Sequence, residues 1–390
     1  MRSSRKIEKR CHDDVAFRFL AANQAPDFRS IARFRRRHLT ALSALFLEVL
    51  ALCRAAGMVK LGRVALDGSK VRANASRRKA MSYKRMTERE AGLQAEVDVL
   101  LADAEASDVA EDNKFGEDGR DVDLDAEMGR RESRLAKIRR AKRDLEADAA
   151  RRAAADTAAK TWHRTADQDA TTSERAEDCA AAADRAATEA TVADKAQRNF
   201  TDPDARIMKT SDGSFHYCYN AQTAADDTHQ VIVATRLSNR SADCPEFASI
   251  LDEIGVNCGR YPRQVVADAG YFSEENVTAA EARRIDALIA TGRLKHSETP
   301  AAAPRGRIPH DATVKQRMAR KLRTKPGRGS YARRKAIIEP VFGQIDTVQG
   351  GKQVLLRGET NAAAEWRLIA ACHNLRKLFN HTGTARPAPA

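Results

Sequence analysis

Residues 64–76 read VALDGSKVRANAS, and the apolar run at their start predicts a short strand over 62–67 that ends on Asp67. A brief apolar run bounded by Gly62 and Gly68 is typical of a strand that is buried inside a sheet. An ionised aspartate at the end of such a strand loses hydration unless a partner compensates for it. Asp67 is therefore a candidate site residue, although a turn cap beside a glycine would also explain it.

Four further runs predict the rest of a sheet. Residues 215–222 alternate in period two and 230–236 are rich in β-branched residues, so this pair predicts a hairpin. Residues 264–268 repeat the first pattern, because a short apolar run again ends on Asp268. The fifth strand is predicted at 285–290. The remaining core segments are predicted to be helices, at about 244–254, 274–284, 331–348 and 362–380. This order predicts an α/β fold with a mixed five-stranded sheet and flanking helices.

The predicted topology groups three acidic residues. In mixed sheets of this kind the first and fourth strands are neighbours, so Asp67 and Asp268 would share one end of the sheet. Glu339 lies in the predicted helix 331–348, which can pack on the sheet and supply a third carboxylate. Three hard oxygen donors suit Mg²⁺ or Mn²⁺, and two such ions can activate a water or a 3′-hydroxyl. Taken singly, each acid could instead be a turn cap or a surface helix residue.

Residues 78–198 differ from the rest of the chain, because Ala and charged residues dominate them. Two apolar stripes at helical spacing predict a pair of antiparallel helices that pack like a coiled coil. Their residues include Met86, Leu93, Val97, Leu135, Ile138 and Leu145. An acidic, Gly-containing loop is predicted at 107–123. Residues 151–195 would form a third Ala-rich helix or be poorly ordered.

The charge of the chain is uneven. The formal net charge is +14, from 68 Lys and Arg against 54 Asp and Glu. Residues 1–40 hold 11 basic and 4 acidic residues, 305–335 hold 12 and one, and 85–200 hold 20 and 28. Two basic tracts around an acidic middle favour a polyanionic partner such as nucleic acid. Solvated surface charge is the alternative interpretation.

The N-terminal segment 1–58 is predicted to be helical, with a break at 23–27. Asp27 or Ser30 would cap the helix that comes after this break. A helix, a short turn and an Arg-rich helix resemble half of a helix-turn-helix. In that case the arginines would contact DNA phosphates; they are Arg33, Arg35, Arg36 and Arg37. A helical bundle with a hydrated basic face explains the same residues.

Cysteine usage and hydropathy exclude two classes of protein. The seven cysteines are scattered without a CxxC pair, and Cys11-His12 lacks partners at zinc-ligand spacing. No apolar run reaches the roughly 18–20 residues that span a bilayer. We therefore expect a reduced, cytoplasmic protein without a disulfide framework or a membrane partner.

Six blocks of sequence occur in a recognisable order. They are VALDGSKVRANAS, NFTDPDARIMKTSDG, YNAQTAADDTHQVIVA, ADAGYFSEEN, IIEPVFGQI and CHNLRKL. Together they resemble the signature blocks of bacterial insertion-sequence transposases of the DDE type, which have an RNase H-like catalytic core. The resemblance runs from about residue 3 to 380. It implies that Asp67 and Asp268 are the catalytic aspartates, that Glu339 is the catalytic glutamate, and that all three bind Mg²⁺ or Mn²⁺.

The resemblance also implies partners and an organisation. The substrate would be double-stranded DNA, namely the terminal inverted repeats and the target, and a homodimer in the bacterial nucleoid would cut and join it. The predicted parts are a DNA-binding region, a catalytic core in two pieces, a coiled-coil-like insertion, and a C-terminal helix with a tail. In that order they are 1–58, 59–77 with 200–350, 78–199, and 351–390.

Two departures from the family pattern concern DNA contacts. Tyr331 and Arg334 match the residues that precede the glutamate on the last catalytic helix, although Arg334 and Glu339 are one residue further apart than usual. Where a basic residue is expected two turns later, this chain has Asp346, and the nearest substitute is Lys352. An acid there repels phosphate. Relatives also carry a helical stretch before SSRKIEKRCHDD, so we expect a truncated DNA-binding region.

Three functions compete. The leading one is a DNA transposase that performs metal-dependent phosphodiester hydrolysis and strand transfer at element ends. The alternative is a catalytically inactive, truncated copy that only binds DNA. A coiled-coil scaffold built on 85–150 is the third. Metal-dependent nicking of element-end DNA separates the first two, and partner binding that depends on the hairpin would indicate the third.

Overall fold

The structure, a computed structural model, describes residues 3–112, 122–164, 172–292 and 305–383. The chain divides into two units, one formed by Met1–Ala75 with Asp204–Ala390 and the other by Ser76–Pro203. The four-part division expected from the sequence stays a prediction.

Eight strands and twelve helices are described. The strands are β1 (Arg63–Arg72), β2 (Ala80–Ser82), β3 (Gln197–Asn199), β4 (Arg206–Lys209), β5 (Phe215–Asp226), β6 (Ile232–Ser238), β7 (Gln264–Ala267) and β8 (Asp286–Ile289). The helices are α1 (Ser4–Asp13), α2 (Val15–Leu20), α3 (Phe28–Arg37), α4 (Leu39–Ala55), α5 (Tyr83–Asp112), α6 (Val122–Arg164), α7 (Thr172–Glu189), α8 (Phe247–Cys258), α9 (Glu274–Ala282), α10 (Val314–Arg323), α11 (Lys325–Val348) and α12 (Glu359–Thr382).

The first unit contains a mixed six-stranded sheet in the order β4-β5-β1-β7-β8, with β6 also paired to β5. Strand β5 pairs antiparallel with β1, β4 and β6. Strands β1, β7 and β8 are parallel to one another. This architecture confirms the predicted α/β class and the predicted adjacency of the first and fourth core strands. The sheet has one strand more than expected, because β4 is too short for a period-two pattern to mark it.

Strand β1 is longer than the sequence predicts. It continues past Asp67 to Arg72, because β5 offers an antiparallel partner along its length, from Val64↔Asp226 to Arg72↔Cys218. Asp67 therefore lies within β1 rather than at its end. Its parallel neighbour β7 does end at that level, so one side of Asp67 borders the strand ends.

Helix α12 packs against β6 through side chains that bond to the strand. Nδ2 of Asn374 donates to Ile232 O and its Oδ1 accepts from Ile232 N, both at 2.8 Å. Nε1 of the buried Trp366 donates to Oγ1 of Thr235 at 2.8 Å. These contacts give the CHNLRKL block a structural role, since buried polar groups of the strand are satisfied by the helix.

The basic tract 305–335 contains a helix, α10, that the sequence analysis did not predict. Helix α10 begins at a capping box, in which Thr313 accepts from Gln316 N and Gln316 bonds back to Thr313 N. The pattern Thr-x-x-Gln is a recognisable start signal. Helix α11 also starts before the predicted residue 331, because Thr324 caps it by accepting from Gly327 N at 3.1 Å.

The N-terminal helices have the expected caps. Asp27 accepts from Arg29 N at 2.7 Å and from Ser30 N at 3.2 Å, so Asp27 rather than Ser30 caps α3. Gly57 follows α4 with φ of 71°, a left-handed conformation that glycine adopts without strain. Among the described residues no single helix is long and apolar enough to cross a bilayer; α3 and α4 together reach the threshold but are bent by 70°.

The second unit is mainly helical, as predicted for the insertion, and also contains the short antiparallel pair β2 and β3. Helices α5 and α6 share a core that contains Met86, Leu93, Leu135, Ile138 and Leu145. Of the two alternatives for 151–195, helix holds for most of the described residues, since α6 continues to Arg164 and α7 spans Thr172–Glu189. The predicted loop at 107–123 is too long, because residues 107–112 belong to α5 and residues 122–123 begin α6. The rest of the predicted loop lies outside the described ranges.

Candidate active site

Asp67 and Asp268 lie at matching positions on neighbouring parallel strands. The register of β1 and β7 pairs Ala65 with Val266. Asp67 lies two residues after Ala65, and Asp268 lies two residues after Val266. Equivalent positions on parallel neighbours project to the same face of a sheet. The structure therefore brings together two of the three carboxylates predicted from the sequence.

The carboxylate of Asp67 is mostly buried and has a partner for each oxygen. Oδ1 accepts from Gly68 N at 2.9 Å, and Oδ2 accepts from Nη1 of Arg334 at 2.9 Å. Burial raises the pKa of Asp67 and the nearby Asp268 raises it further, whereas the Arg334 guanidinium opposes the shift. Because burial disfavours the charged form of the carboxylate, a positive charge beside it is stabilising.

Asp268 follows β7 directly and is half-buried. Its Oδ1 accepts from Gly270 N at 2.9 Å, an N-cap contact to the 3-10 turn Ala269–Tyr271. The turn-cap interpretation of Asp268 is thus correct in part, but capping uses only one carboxylate oxygen. Oxygen lone pairs remain for a ligand.

Arg334 reaches Asp67 from α11, and its side chain is 12% exposed. Its Nε is buried and has no hydrogen-bond partner among the described residues. Tyr331 lies beside Arg334 one turn earlier on the same helix, and burial raises the pKa of its phenol. Both residues predicted to contact DNA from this helix therefore line the Asp67 side of the site.

Glu339 does not join the two aspartates in this conformation. Its side chain is exposed, and within the described ranges no three His, Cys, Asp or Glu side chains are arranged to hold a metal ion. The reason lies in helix geometry, because Glu339 follows Arg334 by five residues and so points about 140° away around α11. Its assignment as the catalytic glutamate stays a prediction.

Asp346 is half-buried near the end of α11. Burial raises the pKa of its carboxyl, and the positive charge of Lys352 opposes that shift. Asp346, which stands where the family pattern has a basic residue, therefore interacts electrostatically with Lys352.

Asp243 is a site residue that the sequence interpretation missed. It lies before α8, and its Oδ1 accepts three hydrogen bonds, from Lys70 Nζ at 3.0 Å and from Asn220 Nδ2 and Gln222 Nε2 at 2.7 Å each. Tyr271, just after Asp268, donates to Gln222. The network therefore joins β1, β5 and the turn after β7.

A signal for this network was present in the sequence. Asn220 and Gln222 occupy alternate positions of β5 and are fully buried. Two amides on the same face of a buried strand need partners, and YNAQ therefore indicated a polar site on that face. The distant partner Asp243 had no comparable local signal.

The predicted DNA-contacting arginines lie on α3. Arg33, Arg36 and Arg37 are exposed and Arg35 is half-buried. The second basic tract forms α10 and the start of α11. There Lys321 pairs with Asp286 and donates to Ala287 O, which ties α10 to the edge strand β8.

Comparison with protein families gives two matches. The model described as Transposase DDE domain matches residues 163–375, which is more than half of the chain and includes Asp268 and Glu339 but not Asp67. The model described as Transposase domain (DUF772) matches residues 1–37. No curated protein and no solved structure matches the chain. Both family matches indicate DNA transposition, and the mixed α/β sheet is consistent with the RNase H-like core of such proteins. The chain belongs to the insertion-sequence transposases with a DDE domain.

Proposed function

We propose that this transposase cleaves phosphodiester bonds at the ends of its element and joins the 3′ ends to target DNA, using Asp67, Asp268 and Glu339 as metal-binding carboxylates. The observation that carries the proposal is the parallel register of β1 and β7, which sets Asp67 beside Asp268. Family membership supports a DNA substrate.

The two aspartates fit a divalent cation by their chemistry. Both present hard carboxylate oxygens, the donor type that Mg²⁺ and Mn²⁺ prefer, and one oxygen of Asp67 already neighbours a cationic group. Divalent ions bound there, two in the usual case, would supply activation of the attacking oxygen and stabilisation of the leaving oxygen. Glu339 would have to approach from α11 to complete the set.

The residues of the chain itself would bind and orient DNA. Arg334 and Tyr331 lie beside Asp67 and can donate hydrogen bonds to a phosphate. The arginines of α3, namely Arg33, Arg35, Arg36 and Arg37, would bind the backbone of the terminal inverted repeats. We assign the same role to the basic tract of α10. A homodimer on DNA and a location in the bacterial cytoplasm at the nucleoid belong to this proposal.

A nicking assay on element-end DNA tests the site. The variants Asp67→Asn, Asp268→Asn and Glu339→Gln should each abolish nicking in Mg²⁺ and in Mn²⁺. Matched controls are Asp252→Asn, an acid of α8 that is paired with Arg283, and Glu281→Gln, an exposed acid of α9. Nicking that survives at all three site positions would refute the assignment.

The same assay addresses the binding-only alternative. The family matches do not favour an inactive copy. If the wild-type chain bound terminal DNA but never nicked it in either metal, binding without catalysis would be the correct description.

A further inference from the structure

Asp243 does not use its carboxylate in the usual local way. It occupies the N-cap position of the 3-10 turn Cys244–Glu246, yet its side chain makes no capping hydrogen bond there. Its Oδ1 instead accepts from Lys70, Asn220 and Gln222. An aspartate at an N-cap normally bonds to the backbone that follows it, so a different role directs this side chain toward the sheet.

The carboxylate of Asp243 lies against the backbone that follows both predicted catalytic aspartates. A Cβ atom on Gly68 would come 2.5 Å from Oδ1 of Asp243, and one on Gly270 would come 3.2 Å from its Oδ2. Oδ1 of Asp268 lies 3.0 Å from that same Gly270 position. Asp243 therefore fills the space between the segment after Asp67 and the segment after Asp268.

The contacts continue into the turn after Asp268. Gln222 accepts from the hydroxyl of the buried Tyr271. Nδ2 of Asn276 donates to Tyr271 O at 2.8 Å and to Cys244 O at 2.9 Å. Asn276 therefore links the turn that carries Asp268 to the loop that carries Asp243. Gln222 makes a second link, because it bonds to both Tyr271 and Asp243.

The energetics favour a positional role over a stabilising one. Asn220, Gln222 and Tyr271 are fully buried, and a buried polar network with a charged member is often no more stable than apolar packing of the same volume. Oδ1 of Asn220 has no hydrogen-bond partner among the described residues, whereas the amide donors of Asn220 and Gln222 are both paired with Asp243. Paired buried donors of this kind fix the arrangement of the segments that they join. The benefit here is the relative placement of Asp67 and Asp268.

We propose that Asp243 is a positioning residue of the active site, which sets the separation of Asp67 and Asp268 through three hydrogen bonds and its contacts with Gly68 and Gly270. The inference rests on the proposed function, in which those two aspartates bind a divalent cation. Asp243 acts through geometry, so its accepting oxygen matters more than its charge.

The proposal can be tested without DNA cleavage by measuring the binding of Mn²⁺ alone to the full-length protein. The electron paramagnetic resonance signal of the free ion reports how much Mn²⁺ remains unbound. Asp243→Ala removes the acceptor and should weaken Mn²⁺ binding by about tenfold, in line with the loss of buried hydrogen bonds. Asp243→Asn keeps an oxygen for the three donors and should bind within about threefold of wild type. The control Asp252→Asn should bind as wild type does.

The outcomes are separable from failure of the proposed function. Wild-type Mn²⁺ binding by Asp67→Asn would show that the metal site itself is misassigned. If Asp67→Asn loses Mn²⁺ while Asp243→Ala keeps it, the metal site stands and the positioning role is wrong. If Asp243→Asn is as defective as Asp243→Ala, charge rather than geometry matters, and the inference also fails.

A second variant covers the case in which Asp243→Ala does not fold by circular dichroism. Lys70→Met removes one donor to Asp243. The apolar methionine side chain fills a volume similar to that of the lysine. It should weaken Mn²⁺ binding by about threefold, and binding equal to wild type would overturn the proposal.

Discussion

Nη1 of Arg334 lies 2.9 Å from Oδ2 of Asp67. The guanidinium therefore neutralises a buried carboxylate that the proposed mechanism assigns to a cation. In the proposed mechanism Arg334 and a divalent ion would compete for the same oxygen, and a DNA phosphate would offer Arg334 another partner.

Replacing Arg334 by Met should destabilise the metal-free protein most at neutral pH. Burial already raises the pKa of Asp67, and loss of Arg334 removes the charge that opposes this shift. Above the raised pKa the folded state would hold an unpaired carboxylate, at a cost of about 1–3 kcal/mol. Well below the ordinary aspartate pKa of about 3.9, Asp67 is protonated in both the folded and the unfolded state and that cost disappears. Urea unfolding in EDTA at about pH 7 and about pH 3 should show the difference, and an equal loss at both values would contradict it.

Arg334→Gln should separate metal binding from catalysis. Removing one positive charge near Asp67 should strengthen Mn²⁺ binding at least several-fold, since two unit charges about 4 Å apart interact by about 1 kcal/mol even at the dielectric constant of water. DNA nicking should fall, because a phosphate donor is lost. Calorimetric titration with Mn²⁺ and the nicking assay measure the two effects. Arg333→Gln, which loses contacts to Asp227 instead, is the matched control, and weaker Mn²⁺ binding by Arg334→Gln would argue against competition.

Gly68→Ala should be costly although it adds one methyl group. The new Cβ would lie 2.5 Å from Asp243 Oδ1 and 2.6 Å from Gln222 Nε2. Overpacking of this kind costs about 1–3 kcal/mol and should also weaken Mn²⁺ binding. Gly62→Ala is the control, because a Cβ there meets nothing within 4 Å. Similar urea midpoints for the two variants would show that the tight approach is not maintained in solution.

The arginines of α3 should contribute to DNA affinity through charge. Arg36→Ala with Arg37→Ala should reduce the slope of log affinity against log salt by up to about 1.8, since each phosphate contact contributes about 0.9. Fluorescence anisotropy with duplex DNA over a range of salt concentrations measures this slope. Arg140→Ala with Arg152→Ala removes the same charge from exposed positions of α6 and should leave the slope unchanged. An unchanged slope for the α3 pair would support the bundle interpretation of these helices.

His373 should make stability fall between pH 6.5 and pH 4. Burial lowers its pKa to about 4, against the partial compensation of a hydrogen bond to Gln230 O. The unfolded state binds a proton at about pH 6.5, whereas the folded state does so near pH 4, so acidification favours unfolding by about 3 kcal/mol across that range. The stability advantage of wild type over His373→Gln should therefore shrink as the pH falls. His310→Gln, at an exposed position, should show no such trend, and a constant difference for His373→Gln would refute the assigned pKa.

Local sequence predicted much of the fold. The apolar runs before Asp67 and Asp268 marked two strands, and alternation and heptad spacing marked the hairpin and the helical insertion, because burial imposes the period of the element on the chain. The family blocks identified the same two aspartates. Local sequence did not locate β4, because four residues carry too little pattern, and α10 was missed although its capping box was readable.

Only the tertiary structure decided the charge environment and the geometry of the candidate site. The pairing of Arg334 with Asp67 and the position of Asp243 between Gly68 and Gly270 join segments that are far apart in sequence. Glu339, in contrast, is left exposed. Contacts of that kind depend on strand register and on the rotation of α11 about its axis, which no local pattern specifies. The sequence by itself determined which carboxylates are available, and packing determined which of them meet.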